Sequence, residues 1–224
     1  SPNNMVLVAS GNFDWERFVS DAEKYCSTWP SFVAERAVSP YPPQVMQRVY
    51  TKKNLQQAHL LFITESCHAQ EDLRFPLSIL ATIIGDSSGS HFYWRLVDSG
   101  LAESAGADND EKDGTGCFMA YASTEPEHLE NVAGIMREIL AEPLSFSEED
   151  LERAKTKLIA RLVLGGELPM GRLMALGNEY IFRTRMHSLQ SVIQQVRETN
   201  RNQICAALEK YPLEKWSEFR LISE

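Results

Sequence analysis

Apolar positions at helical spacing, broken once by a glycine- and serine-rich turn, form the most regular pattern in the chain. Leu77, Ile79, Leu80, Ile83 and Ile84 predict one helix. Gly85, Asp86, Ser87, Ser88 and Gly89 end it, and an aromatic amphipathic run then continues to Gly100 as a second. Upstream, residues 5–9 are continuously apolar and bounded by Ser10-Gly11-Asn12, which predicts a short strand buried on both faces. Asp14 is placed to cap a helix whose apolar positions are Trp15, Phe18, Val19, Ala22 and Tyr25; this helix is expected to lie on the sheet. Trp29-Pro30 ends it, and Pro40-Tyr41-Pro42-Pro43 should hold the next connection extended. Residues 45–51 and 58–65 then predict two strands, with a hairpin as the plausible link through Asn54. Residues 101–107 and 117–123 predict a second hairpin across the charged turn at 108–114.

The remainder is helical in pattern. Glu125-Pro126 opens a helix with Leu129, Val132, Ile135, Met136, Ile139 and Leu140 on one face. Ser147-Glu148-Glu149-Asp150 has the Ser-x-x-acid form of a helix start, and Leu151, Ala154, Leu158 and Leu162 extend that stripe until Gly165-Gly166, which should stop it. Helices over 168–185 and 199–208 flank a shorter one near Val192, and residues 219–222 return as an edge strand. The order predicts an α+β fold: a single mixed sheet of five or six strands, helices mainly on one face, with residues 1–224 as one domain.

Composition narrows the function more than the fold. With 224 residues, 43% of them hydrophobic, the chain can build a core. A net charge of −9 with scattered Lys and Arg disfavours binding to a phosphate backbone, so nucleic acid is not an expected partner. No run of apolar residues is long enough for a membrane span. Cys26, Cys67, Cys117 and Cys205 are far apart without a C-x-x-C pair, which argues against a zinc knuckle or a disulfide framework and favours a reducing compartment, the cytoplasm first. Ser1-Pro2-Asn3-Asn4 has neither the charged leader nor the apolar core of a signal peptide.

The helix, Gly/Ser turn and second helix lead into Gly100-Leu101-Ala102-Glu103-Ser104. This order resembles the second-half domain of the pitrilysin/insulinase family of zinc metallopeptidases, which includes the mitochondrial processing peptidase; there an Arg-bearing helix leads into Gly-Leu-Ala-Tyr-Ser. The opening Pro2-Asn3-Asn4-Met5 and Gly11-Asn12-Phe13-Asp14 resemble the start of that domain, and the likeness covers nearly the whole chain. It implies a LuxS/processing-peptidase-like α+β domain, a missing N-terminal catalytic domain carrying zinc, and a peptide substrate. It leaves a homodimer open, and it makes the chain a piece of a longer two-domain protein.

The family's zinc motif H-x-x-E-H occurs at none of His59, His68, His91, His128 or His187. The nearest approach is His68-Ala69-Gln70-Glu71-Asp72, where Glu71 and Asp72 more simply cap the helix that has Pro76 in its first turn. No metal is expected in this chain. In active relatives the Arg of the second helix and the Tyr of Gly-Leu-Ala-Tyr hydrogen-bond the substrate backbone. Aligned on Gly100-Leu101-Ala102, these positions hold Leu96 and Glu103; Arg95 falls one residue early, a turn of about 100° on a helix. Arg95 and Glu103 could select a charged substrate group, or form an ion pair with each other. His91, Tyr93 and Trp94 are candidates to line a peptide groove, against core packing for Phe92 and one neighbour. The expected function is the non-catalytic half of a metalloendopeptidase, one wall of a peptide-enclosing chamber; the alternatives are a pseudo-peptidase scaffold and an independent binding module.

Overall fold

Period-two patterning in residues 58–65 decides which side of the sheet meets the helices: Ala58, Leu60, Phe62 and Thr64 are buried while His59 and Glu65 are exposed. The computed structural model describes residues 1–35, 44–183 and 186–224. In chain order its main elements are α1 (Trp15–Cys26), β1 (Gln47–Lys52), β2 (Ala58–Glu65), α2 (Arg74–Gly85), β3 (Ser104–Lys112), β4 (Thr115–Thr124), α3 (Leu129–Ala141), α4 (Glu148–Glu167), α5 (Pro169–Phe182), α6 (Leu189–Glu198), α7 (Arg201–Lys210) and β5 (Ser217–Ser223). They fall into two compact units, Ser1–Pro42 with Leu162–Leu189, and Pro43–Arg161 with Gln190–Glu224.

The larger unit carries one five-stranded mixed sheet in the order β1-β5-β2-β4-β3. β1 runs parallel to β5, and every other neighbouring pair is antiparallel. Leu60 faces Ala122 and Phe62 faces Ala120 across the β2–β4 ladder, so one face presents a continuous apolar surface to α2 and α3. Leu60, Phe62 and Phe118 are at most 2% exposed. Each stabilises the fold by roughly 1.5–3 kcal/mol through burial. Trp216 meets Phe62 and Phe118 edge-on, at 6.2 and 6.1 Å. Glu218 of β5 also points to this face, where Arg137 of α3 and Arg220 each donate to its carboxylate at 2.6 Å. A carboxylate this buried is tolerated because both oxygens are charge-paired.

α2 is apolar almost all round, with eleven of its residues buried. Gly85 ends it for a steric reason: a Cβ there would lie 2.1 Å from the backbone nitrogen of Ala107 in β3. Only a glycine allows that approach.

The smaller unit is stitched differently. Asp14 accepts from the Arg17 amide at 3.0 Å and caps α1 as its sequence predicts, and Ser1 Oγ donates to the Phe32 carbonyl at 2.5 Å. Gly171 at the start of α5 lies so near the end of α4 that a Cβ would sit 1.9 Å from the Gly165 carbonyl oxygen.

Several expectations need correction. β1 and β2 are not a hairpin, because β5 lies between them; for the same reason β5 is an interior strand and not an edge. Residues 5–9 form no strand: Met5 and Leu7 are exposed, and Val8 instead approaches Gly177 of α5 within the smaller unit. α1 has the predicted periodicity yet buries none of its residues. Gly165-Gly166 does not stop α4, which continues to Glu167; it is Gly171 of α5 whose missing side chain lets the two helices approach at the Gly165 carbonyl. β3 extends to Lys112, so most of the expected charged turn is ladder and the reversal is confined to Asp113-Gly114. The 40–43 stretch and the last residues of the helix expected over 168–185 lie outside the described residues.

Candidate functional site

Between α2 and β3 the chain makes a turn and then one winding of π-helix, Tyr93–Val97. Ser90 starts it: its hydroxyl donates to the Asp86 carbonyl at 2.6 Å and accepts from the Tyr93 amide at 3.0 Å. The Asp98 amide reaches back five residues to the Tyr93 carbonyl at 2.8 Å, the π-type bond. Such a winding takes in one more residue per turn than an α-helix and re-aims the side chains around it. Phe92 and Leu96 consequently point into the core at 0% exposure, while Trp94 and Arg95 point outward.

The preceding turn is pinned from α4. The Asp86 carboxylate accepts from Lys157 at 2.6 Å and pairs with Arg161, Lys157 also donates to Ser88 Oγ at 2.9 Å, and Arg153 donates to the Gly89 carbonyl at 3.0 Å. Burial raises the Asp86 pKa, but the Lys157 hydrogen bond, the Ser87 amide and the two cations outweigh it and hold the carboxyl below its ordinary value. The turn is therefore held in place by three cationic side chains of α4.

His91, Trp94 and Arg95 line an open groove of about 260 Å³ with Glu138, Ile139, Glu142 and Ser145. Arg95 donates to Glu138 of α3 at 2.7 Å. This corrects the expected pairing with Glu103, since the π-winding aims Arg95 at α3. The pair is about half exposed on both sides, 47% and 66%, and so contributes roughly 0–1 kcal/mol. Tyr93 packs edge-on against Trp94 at 4.9 Å. Burial lowers the His91 pKa, Asp150 opposing and Arg153 and Arg95 reinforcing it, which favours the neutral imidazole. Glu103 is exposed at the start of β3, its amide on the Ser123 carbonyl at 2.9 Å, and it is not part of the groove. Of the five candidate residues three share a groove, Tyr93 supports one of them, and Glu103 stands apart.

The groove's other wall had no obvious signature in sequence, because Glu138 is 43 residues from Arg95. Its one trace is helical spacing, which sets Glu138 and Glu142 on the same side of α3.

The residues nearest to a zinc motif do not fit zinc. His68 Nε2 lies 3.1 Å from Glu71 Oε1, and its Nδ1 is 2.7 Å from Gln70 Oε1. Glu71 accepts from Tyr211 at 2.5 Å and pairs with Lys210. Its carboxyl therefore stays below its usual pKa despite burial, and the Tyr211 phenol is pushed up to about 12 by burial and by Glu71. His68 and Glu71 are thus both engaged by protein partners, and among the described residues no third ligand joins them in a metal-spaced group. Nor do Glu71 and Asp72 cap α2 with their side chains, as expected: that helix starts from Leu73 without a side-chain cap, and Glu71 is drawn instead to α7. Among the described residues one cluster has metal-ligand spacing, Glu125, Glu127 and His128, on the surface before α3.

The sequence profile described as peptidase M16 inactive domain matches residues 1–158. The chain belongs to the peptidase M16 inactive-domain family. Among relatives of this M16 domain, the uncharacterized zinc protease YmxG of Bacillus subtilis is 21% identical over 204 residues, 89% of this chain and 49% of that protein. An uncharacterized zinc protease of Rickettsia bellii is 26% identical over 182 residues, 79% of this chain and 43% of that protein. The M16 domain thus spans about half the length of the relatives it matches. Its fold is that of the peptidase M16 inactive domain from Pseudomonas fluorescens, with a TM-score of 0.79 at 16% identity, covering 93% of this chain and 50% of the other. No helix among the described residues is long and apolar enough to cross a membrane, and the four cysteines are free thiols.

Proposed function

We propose that this chain is the non-catalytic half of a zinc-dependent metalloendopeptidase, forming one wall of a chamber that encloses the peptide. Zinc and the glutamate that activates its water belong to an N-terminal catalytic domain paired with it. The observation that carries this reading is the match to an inactive M16 domain in relatives named zinc proteases that are twice as long. The committed state of His68 and Glu71 agrees with it. Of this chain's residues, Trp94, Arg95 and His91 take the contact with peptide, because they present an aromatic face and polar tips in one groove.

The position of the family's substrate-binding Arg holds Leu96, which is wholly buried, and that of the Tyr holds Glu103. These two departures favour a second reading, a pseudo-peptidase scaffold that keeps the fold and has lost substrate contact. Zinc content and cleavage of an unfolded peptide by the full-length protein separate the two. A stoichiometric zinc with cleavage, both abolished when the upstream motif is mutated and both absent from residues 1–224 alone, is the expected result. A full-length protein that holds no zinc and cuts nothing is a scaffold.

A further inference from the structure

Burial along α3 leaves its last turn facing the groove with unusual chemistry. The helix ends at Ala141 without a basic residue in its last turn, so the negative end of its dipole is not offset locally. Glu142 follows, exposed, and its carboxylate has no hydrogen-bond or ion-pair partner among the described residues. Glu138 lies one turn earlier and holds Arg95. Across the groove Trp94 is 55% exposed, with Tyr93 fixing its ring from behind. With His91 favoured in its neutral form, the lining carries one cation against two carboxylates.

We propose that the groove is a recognition site for a cationic side chain, the guanidinium of arginine or the ammonium of lysine, on a peptide held by this domain. The guest stacks on the indole of Trp94 and pairs with Glu142, while the carbonyl end of α3 adds to its attraction. Arg95 stays with Glu138, which leaves Glu142 as the carboxylate open to the guest. An acidic guest would meet Glu142 and the helix C-terminus, both repelling. A neutral apolar guest would leave Glu142 uncompensated at its side.

The inference rests on the peptide-contact reading above, and the test separates the two. Fluorescence anisotropy would compare two otherwise neutral unfolded peptides, one carrying a single arginine and the other citrulline in its place, against the purified full-length protein. The arginine peptide should bind roughly tenfold more tightly, from one exposed cation–π contact and one exposed ion pair. Glu142→Gln and Trp94→Ala should each shrink that ratio to about threefold or less, with Glu142→Asp restoring part of it. Both side chains are exposed, so circular dichroism should show the variants folded. Equal binding of the two peptides, or a ratio that survives both substitutions, overturns the cation preference while leaving peptide contact standing. If neither peptide binds, both readings fall.

Discussion

Leu96 takes the place that the resemblance through Gly100-Leu101-Ala102 implies for an arginine, and placing an arginine there tests the register of the π-winding. Leu96 is 0% exposed, set in the core by the π-winding that turns Arg95 outward. Leu96→Ala removes a fully buried side chain and should cost about 2–5 kcal/mol through lost transfer energy and the cavity left behind. Leu96→Arg adds overpacking of about 1–3 kcal/mol and an unpaired buried charge of about 3–5 kcal/mol. The total is of the same order as the whole stability of a domain, about 5–15 kcal/mol. Thermal unfolding followed by circular dichroism should therefore show a folded Leu96→Ala protein melting roughly 5–15 °C lower. The Leu96→Arg protein should lack a cooperative transition. A Leu96→Arg variant that melts close to the parent would mean that residue 96 faces solvent, and the placement of Arg95 against α3 would be wrong with it.

Gly85→Ala should destabilise by at least about 2 kcal/mol, because the new methyl meets the backbone of β3 and not a movable side chain, and denaturant titration would read the loss. Glu218 has its carboxyl pKa raised by burial but lowered further by hydrogen bonds from Arg137 and Arg220, so its folded value lies below its unfolded one. Its contribution is complete above about pH 4.3 and is lost as the pH falls through the depressed folded value; Glu218→Gln should flatten that part of the acid-unfolding curve. Arg95→Ala should change stability by less than about 1 kcal/mol, since its pair with Glu138 is exposed, and a larger drop in melting temperature would contradict the groove geometry. A strong chelator should leave the melting temperature of residues 1–224 unchanged, because His68 and Glu71 are held by protein partners; a downward shift would point to a bound metal.

Local pattern was enough for the elements whose signals are local. The apolar run of β2, the Asp14 cap, the Ser147–Asp150 helix start and the apolar stripe of α3 all lie within a few residues, and each element is found where the pattern puts it. The likeness of Gly100-Leu101-Ala102 and the turn before it was likewise sufficient to indicate the family, because a motif needs only order along the chain. What the sequence could not decide was every choice made between distant residues. Sequence pattern predicts strands over residues 45–51, 58–65 and 219–222, but each strand edge offers the same hydrogen bonds to any partner. Only the packed sheet put β5 between β1 and β2. The same holds for Arg95: a charge in an amphipathic run has no intrinsic partner, and one extra residue in a π-winding turned it from Glu103 to Glu138. The groove itself exists only in three dimensions, since its walls are an aromatic turn and a helix end joined by no local rule.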